Sequence, residues 1–354
     1  MKKETMEKVE RDLVPDDGRE LLVEIRGLIE DTRGQAVLIV NAALTSLYWR
    51  IGDRISREIL TNERAEYGKQ IVATVSRQLV KEFGRGFAEK NLRRMMQFAE
   101  AFPDEAIVAT LSRQLSWSHF VELLPLPRPY QREFYAEMCR IEGWSIRTLR
   151  ERIDSMLYER TALSKEPEEL VKQELAALRA QNNITPTMLL KDPYILDFLG
   201  LSNRFLERDL EEAILRELET FLLEMGSGFS FVARQKRIQL DGEDFYIDLL
   251  FYNRKLKRLI VVELKQGRFK PEYKGQMELY LRWLARNETE VGEESPLGII
   301  LCAEKNSEQI ELLELGSAGI HVAEYLTVLP PPDALREKLH NAIETAQMRL
   351  GSDS

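Results

Sequence analysis

From about Glu20 to Glu159 the apolar residues recur at the three- and four-residue spacing of helices, and no run alternates as a strand does. Gly84 and Gly86, Pro103, the cluster Pro125, Pro127, Pro129, and Gly143 interrupt that spacing, so it predicts several helices in one domain. A charged stretch, Lys165 to Gln181, follows; it is rich in Glu, Lys, Ala and Leu and reads as a connector helix. The pattern changes after Asp209. Leu210 to Met225 is one amphipathic helix stopped by Gly226 and Gly228. Strands are then expected at Arg234–Leu240, Phe245–Tyr252 and Leu259–Lys265, with the Asp241-Gly242 pair making a hairpin between the first two. Lys274–Arg286 reads as a helix, Gly298–Cys302 as a strand, Ser307–Leu315 as a helix and Ile320–Leu326 as a strand.

This order predicts a two-domain α+β protein. Its all-α domain spans 15–163, a connector and linker 164–200, and a mixed α/β core of helix, three-strand meander, helix and strand 201–335. At 354 residues the chain is long enough for two cores.

Composition narrows the function. A net charge of -9 argues against a protein that coats nucleic acid non-specifically, since that requires an excess of Lys and Arg. It does not exclude a nuclease, whose metal-binding carboxylates make their own region acidic. Cys139 and Cys302 stand far apart without CxxC spacing, so neither a disulfide framework nor a zinc ribbon is expected, and a reducing cytoplasm is. His119, His321 and His340 are scattered singly and read as ordinary fold residues. The opening MKKETMEKVERDLV alternates charge and does not read as a signal peptide. The oily stretch Ala36 to Trp49 falls short of the roughly 18 to 20 residues of a membrane span, so no membrane association is expected.

Chemistry concentrates in two strands. FYIDLLFY and LIVVELK are almost continuously apolar, as in a sheet covered on both faces, and only Asp248, Glu263 and Lys265 interrupt them. For a hairpin folded about Lys255-Leu256, 248 and 263 have the same sum as 255 and 256, which sets Asp248 across from Glu263. Lys265, two residues on, shares their face. Facing carboxylates in an apolar sheet repel and are poorly solvated. A hard divalent cation, Mg²⁺ or Mn²⁺, would remove the conflict, bound by Asp248, Glu263 and a backbone carbonyl such as that of Leu264. Lys265 would orient a water or offset charge developing on phosphate. The competing reading is a buried ion pair of Lys265 with one carboxylate, which would leave the other without a partner.

The string RQKRIQLDGEDFYIDLLFYNRKLKRLIVVELKQGRFKPEYKGQMELYL, Arg234 to Leu281, resembles the nuclease domain of the YhcG family within the PD-(D/E)XK superfamily. Upstream, YGKQIVATVSRQLVKEFGRGFAEKNLRRMMQFAEAFP, LSWSHFVELL and GWSIRTLRERI resemble that family's helical N-terminal domain, so the likeness covers most of the chain. It implies a restriction-endonuclease-like core, with Asp248 as the metal-binding Asp and Glu263 and Lys265 as the E-x-K. It also implies a carboxylate on the first helix, Glu211 or its neighbour Glu212, and a Q-x-x-x-Y formed by Gln276 and Tyr280. Packing and capping are the alternative for that last pair, which shares a helix face. Arg234 and Gln235 are expected to approach phosphate. Ile247, not Pro, precedes Asp248, a departure from the literal Pro-Asp.

In the helical half, SWSHFVELL and WSIRTLRERI each set Ser ahead of an apolar-periodic helix, a start signal. The second carries Arg147, Arg150 and Arg152 and reads either as a helix-turn-helix-like unit entering a DNA groove or as a solvated helix. Arg85, Lys90, Arg93 and Arg94 form a second basic cluster, with Phe87 and Phe98 read as core. The expectation is thus a bacterial, cytoplasmic nuclease that uses Mg²⁺ or Mn²⁺ on DNA. The helical domain serves targeting or assembly, and a homodimer or protein partner is in view. The alternatives are an adaptor that retains the nuclease fold, and an RNA-directed enzyme.

Overall fold

Apolar periodicity in the first half is carried by helices throughout. In the computed structural model, which describes residues 16–61, 65–201, 206–305 and 307–352, the chain divides into two units, Met1–Arg150 and Glu151–Ser354. The opening MKKETMEKVERDLV lies outside the described residues. The first unit comprises α1 (Asp16–Thr61), α2 (Ala65–Phe83), α3 (Glu89–Ala101), α4 (Glu105–Leu111), α5 (Trp117–Leu123), α6 (Pro129–Glu142) and the start of α7 (Ile146–Asp154). Asp104 caps α4 by accepting from the Ala106 N–H at 2.8 Å, and Gly143 ends α6 in the left-handed region at φ 63°. Ser145 accepts from the Thr148 N–H at 3.1 Å, so the Ser-led start signal of α7 is a real cap. Phe98 is fully buried, ringed by Phe102, Trp117 and Phe120, and Phe87 packs at the margin of the core around Val72, Leu92 and Met95. A Cβ on Gly52 would fall 1.8 Å from the Met95 carbonyl oxygen; α1 and α3 therefore touch backbone to backbone there, which no larger residue permits.

In the second unit a six-stranded sheet has the order β1-β6-β5-β4-β3-β2. Its strands are β1 (Tyr194–Ile195), β2 (Phe229–Leu240), β3 (Glu243–Asn253), β4 (Arg258–Arg268), β5 (Leu297–Glu304) and β6 (Ile320–Leu326). β2, β3 and β4 form the expected antiparallel meander, and β5, β6 and β1 add in parallel. The helices of this unit are α8 (Leu157–Arg160), α9 (Glu168–Gln181), α10 (Pro186–Leu189), α11 (Glu207–Arg216), α12 (Leu218–Met225), α13 (Glu272–Asn287), α14 (Ser307–Leu312) and α15 (Pro332–Ser352). Met277 and Leu284 of α13 pack on Val261 and Ile300 of the sheet. The fit is close: a Cβ on Gly298 would meet Met277 Sδ at 2.4 Å.

Three local expectations change. The helix expected over Leu210–Met225 is two, because Glu217 leaves helical geometry at φ -105°, ψ 31°. The first strand starts at Phe229 rather than Arg234, since Phe229, Phe231 and Ala233 alternate half-buried ahead of it, with an irregularity between Phe231 and Ala233. Within 164–200, α9 buries Val171, Leu175 and Leu178, and Tyr194–Ile195 pairs with β6.

Candidate active site

β3 and β4 pair from Asn253↔Arg258 to Leu249↔Val262, the register that sets Asp248 across from Glu263. At that next position side chains take over from the ladder. The Asp248 N–H donates to Glu263 Oε1 at 3.2 Å, and the Leu264 N–H donates to Asp248 Oδ2 at 2.9 Å. Each carboxylate thus reaches across and occupies a backbone donor of the opposite strand. The acids are fixed by the same backbone groups that would otherwise have continued the sheet.

β2 contributes from the other side. It pairs Arg234 with Leu249 and Lys236 with Ile247, which leaves Gln235 between the ladder pairs in the left-handed region at φ 44°. Its Nε2 donates to Glu211 Oε2 at 2.8 Å and to Asp248 Oδ1 at 3.2 Å. Gln235, expected to approach phosphate, ties the helix carboxylate to the strand carboxylate. Arg234 lies 3.4 Å from Glu211 Oε1 with its side chain 54% exposed. Of the two candidate helix acids, Glu211 is buried, whereas Glu212 is exposed and pairs with Arg208 at 2.9 Å.

Lys265 Nζ donates to Glu263 Oε2 at 3.2 Å, so the ion pair of the competing reading does form. It does not leave Asp248 without a partner, because Leu264 and Gln235 hold that carboxylate. Gln276 donates to Tyr280 Oη at 2.7 Å, and that hydroxyl donates to the Tyr246 carbonyl at 3.0 Å, bracing α13 against β3. Leu264 is buried, with its N–H turned to Asp248. Arg147 and Arg150 lie on α7 in the first unit, where Arg150 pairs with Glu122 at 2.6 Å.

Two further residues belong here. Glu207 accepts from the Gln266 N–H at 3.4 Å, and its charge acts on Lys265. Its signal was its place one helical turn before Glu211. Tyr273 puts its ring centroid 5.3 Å from Lys265 Nζ. It lies one helical turn ahead of Gln276 and Met277 and two turns ahead of Tyr280, a stripe that periodicity alone assigns to packing.

Electrostatics follow from crowding two sheet acids, Asp248 and Glu263, against the helix acid Glu211 in mostly apolar surroundings. Burial, then the neighbouring Asp248 charge, pushes the Glu263 carboxyl up to about 7 despite the opposing pull of Lys265. Burial also raises Glu211, with Asp248 adding to it and Gln235 and Arg234 offsetting it. For Lys265 burial works downward, but the charges of Glu263 and Asp248 outweigh it and raise the ammonium pKa. Burial raises the Tyr280 hydroxyl, and the Glu263 and Asp248 charges add to the rise against the Gln276 hydrogen bond.

These groups fit a hard divalent cation. The donors are carboxylate oxygens, burial and then the Asp248 charge raise the Glu263 carboxyl to about 7, and the buried Glu211 Oε1 faces Arg234 at 3.4 Å without a hydrogen bond. Among the described residues no three His, Cys, Asp or Glu side chains close a metal cage by themselves. Mg²⁺ does not ask for one, since it keeps several waters and uses one or two protein carboxylates.

Comparison with known proteins bears on the same region. Residues 187–340 match the YhcG PDDEXK nuclease domain family, and residues 24–160 match the DUF1016 N-terminal domain family. The chain is 34% identical over 343 residues to the Escherichia coli (strain K12) protein described as "Putative nuclease YhcG", covering 88% of this chain and 91% of that one. Among solved structures it is similar to a repair endonuclease from Pyrococcus abyssi (22% identity, 37% of this chain and 50% of that chain, TM-score 0.26). It is also similar to EndoMS in the EndoMS-dsDNA2 complex (20% identity, 37% and 48%, TM-score 0.27). With that identity across most of both chains, and with both parts matched in order, this protein belongs to the YhcG family and carries a nuclease domain of PD-(D/E)XK type.

Proposed function

We propose that the protein is a metal-dependent nuclease that hydrolyses phosphodiester bonds in DNA. The helical domain, 15–163, serves targeting or oligomerisation, 164–200 links it, and 201–335 forms the nuclease domain. The observation that carries this reading is the reciprocal hold of Asp248 and Glu263 on each other's strands, with Lys265 3.2 Å from Glu263. An apolar sheet has no stability reason to assemble that trio.

Asp248, Glu263 and the Leu264 carbonyl would hold Mg²⁺ or Mn²⁺, which when bound supplies Lewis acidity at the phosphate and lowers the pKa of a bound water. Lys265, kept charged by the acids around it, donates to a phosphate oxygen or to the attacking water as negative charge accumulates. Hydrolysis joins the water oxygen to phosphorus and breaks the ester bond. The departing oxygen takes a proton. Gln235 positions Asp248 and Glu211, and Glu211 Oε1, which faces Arg234 at 3.4 Å without a hydrogen bond, accepts from a water. Gln276 and Tyr280 position β3 through the Tyr246 carbonyl. Half-exposed Arg234 meets phosphate at the rim, and Arg147 and Arg150 contact DNA from the helical domain. Two buried, unpaired cysteines, Cys139 and Cys302, suit a cytoplasmic setting.

A homodimer or a protein partner is part of the proposal. In α1, residues 34–49 carry no charge, and Val37, Leu38, Ile39 and Val40 are all exposed. Sedimentation at micromolar concentration tests the homodimer, and a monomer would leave only the protein partner.

The function is tested by incubating linear, circular, single-stranded and branched DNA, and RNA, with Mg²⁺ or Mn²⁺, alongside Asp248→Asn and Lys265→Ala. Cleavage of DNA by the wild type alone is expected. Cleavage restricted to RNA would correct the substrate, and activity surviving in both variants would move the chemistry to another site.

A further inference from the structure

Beyond the C-terminal ends of β5 and β6 lies a cavity of about 400 Å³ that plays no part in the site above. Three lysines from separate segments converge on it: Lys165 from the turn Ala162–Lys165, Lys305 just past β5, and Lys338 from α15. Two acids answer them. Asp192 Oδ2 accepts from Lys165 Nζ at 2.6 Å and from Lys305 Nζ, while its Oδ1 accepts from the Glu324 N–H at 3.1 Å. Glu324 Oε2 accepts from Lys338 Nζ at 2.7 Å.

A staple between elements would balance its charges, and this cluster does not. Three ammonium groups face two carboxylates, so one positive charge is in surplus at the cavity. Three ammonium groups also carry nine N–H donors; Lys165 uses two, on the Asp192 carbonyl and carboxylate, and Lys305 and Lys338 use one each, which leaves five directed at the cavity or at solvent. Surplus charge, spare donors and space together describe a receptor for a compact anion with several acceptor oxygens.

Position indicates which anion. Lys265 is in register with Cys302 on β5, and Cys302 with Glu324 on β6, so the cavity begins two strands from the catalytic lysine along the same sheet edge. At the usual strand spacing that is about 10 Å, roughly the rise of three stacked nucleotides. The geometry points to a phosphate-binding pocket formed by Lys165, Lys305 and Lys338 that holds one phosphate group of the strand being cut at Asp248, Glu263 and Lys265. This rests on the nuclease reading. The phosphate is either a backbone diester or a terminal monophosphate, both of which present anionic non-bridging oxygens to the lysines.

The test uses the full chain carrying Asp248→Asn to silence cleavage, with and without Lys305→Gln plus Lys338→Ala, and with half-exposed Lys338→Ala alone in case the double change disturbs folding. Anisotropy is read on 12-nucleotide strands with 5′-phosphate, 3′-phosphate or hydroxyl ends, across a salt series. The pocket predicts about tenfold weaker binding in the lysine variants and a plot of log affinity against log salt shallower by about 0.7, one phosphate contact fewer. Preference for one phosphorylated end identifies a terminal phosphate, and equal loss for all ends a backbone phosphate. Unchanged affinity and slope in the lysine variants overturn the pocket while leaving the nuclease reading intact. Should no nucleic acid bind at all, that reading fails, and calorimetry with inorganic phosphate decides the pocket alone: heat lost on Lys338→Ala upholds it, and no heat with the wild type overturns it.

Discussion

Replacing Glu263 by Gln should stabilise the metal-free protein, by an amount that grows with pH. The Glu263 carboxyl is buried beside Asp248 and pushed from 4.5 up to about 7. Between those values the folded protein holds a proton that the unfolded chain has released, so stability falls as pH rises through the window and levels off above it. Each pH unit is worth about 1.4 kcal/mol, so the span from 4.5 to about 7 amounts to at most about 3 kcal/mol. Gln imitates the protonated acid, including its loss of the Lys265 ion pair at 3.2 Å. In EDTA the variant should therefore match the wild type near pH 5. Near pH 8 it should exceed it by about 2–3 kcal/mol, or about 5–10 °C in a nuclease domain of this size. Calorimetric melts from pH 5 to 8.5 measure the difference, in which the other titrating groups cancel. Mg²⁺ added at pH 8 should recover most of the wild-type deficit and little in the variant. A variant-minus-wild-type difference that stays flat across this range would refute the reasoning, because the acids would then not be in conflict.

Lys265→Ala should slow single-turnover cleavage by about 10²–10³-fold, the usual effect of removing one donor aimed at developing charge, while substrate affinity changes little. Gln235→Ala releases both Glu211 and Asp248; cleavage should fall about 10–100-fold through weaker metal affinity, and raising the Mg²⁺ concentration should restore part of it. Tyr280→Phe leaves the Tyr246 carbonyl without its 3.0 Å donor. Urea denaturation should show a loss of about 1–2 kcal/mol, with cleavage retained within tenfold; a larger loss of cleavage at unchanged stability would give the hydroxyl a direct part in the chemistry.

The geometry of the candidate site was legible where strand periodicity fixed it. The apolar strands FYIDLLFY and LIVVELK, with one turn between them, determine a register, and that register alone brings Asp248 to Glu263 and Lys265 to their face. The role of Gln235 could not be read, because it depends on a residue held at φ 44° between two ladder pairs, and no spacing rule announces such a position. The break at Glu217 was hidden because apolar periodicity runs through it. Arg160 lay beyond any local reading: it is 1% exposed and bonded to Glu224 at 2.5 Å, sixty-four positions along the chain. Charge balance along a segment cannot reveal a partner that only the tertiary fold supplies. Strand β1 has two residues, too few for any periodic signal.

The central claim is that Asp248 and Glu263 form a single cation-binding centre served by Lys265. Paramagnetic titration with Mn²⁺ of chelator-treated protein at pH 8 tests it most directly, comparing the wild type, Asp248→Asn and Lys265→Ala. One tightly bound Mn²⁺ per chain is predicted in the wild type and in Lys265→Ala, with affinity lost by at least tenfold in Asp248→Asn. Equal binding by the wild type and Asp248→Asn would contradict the claim.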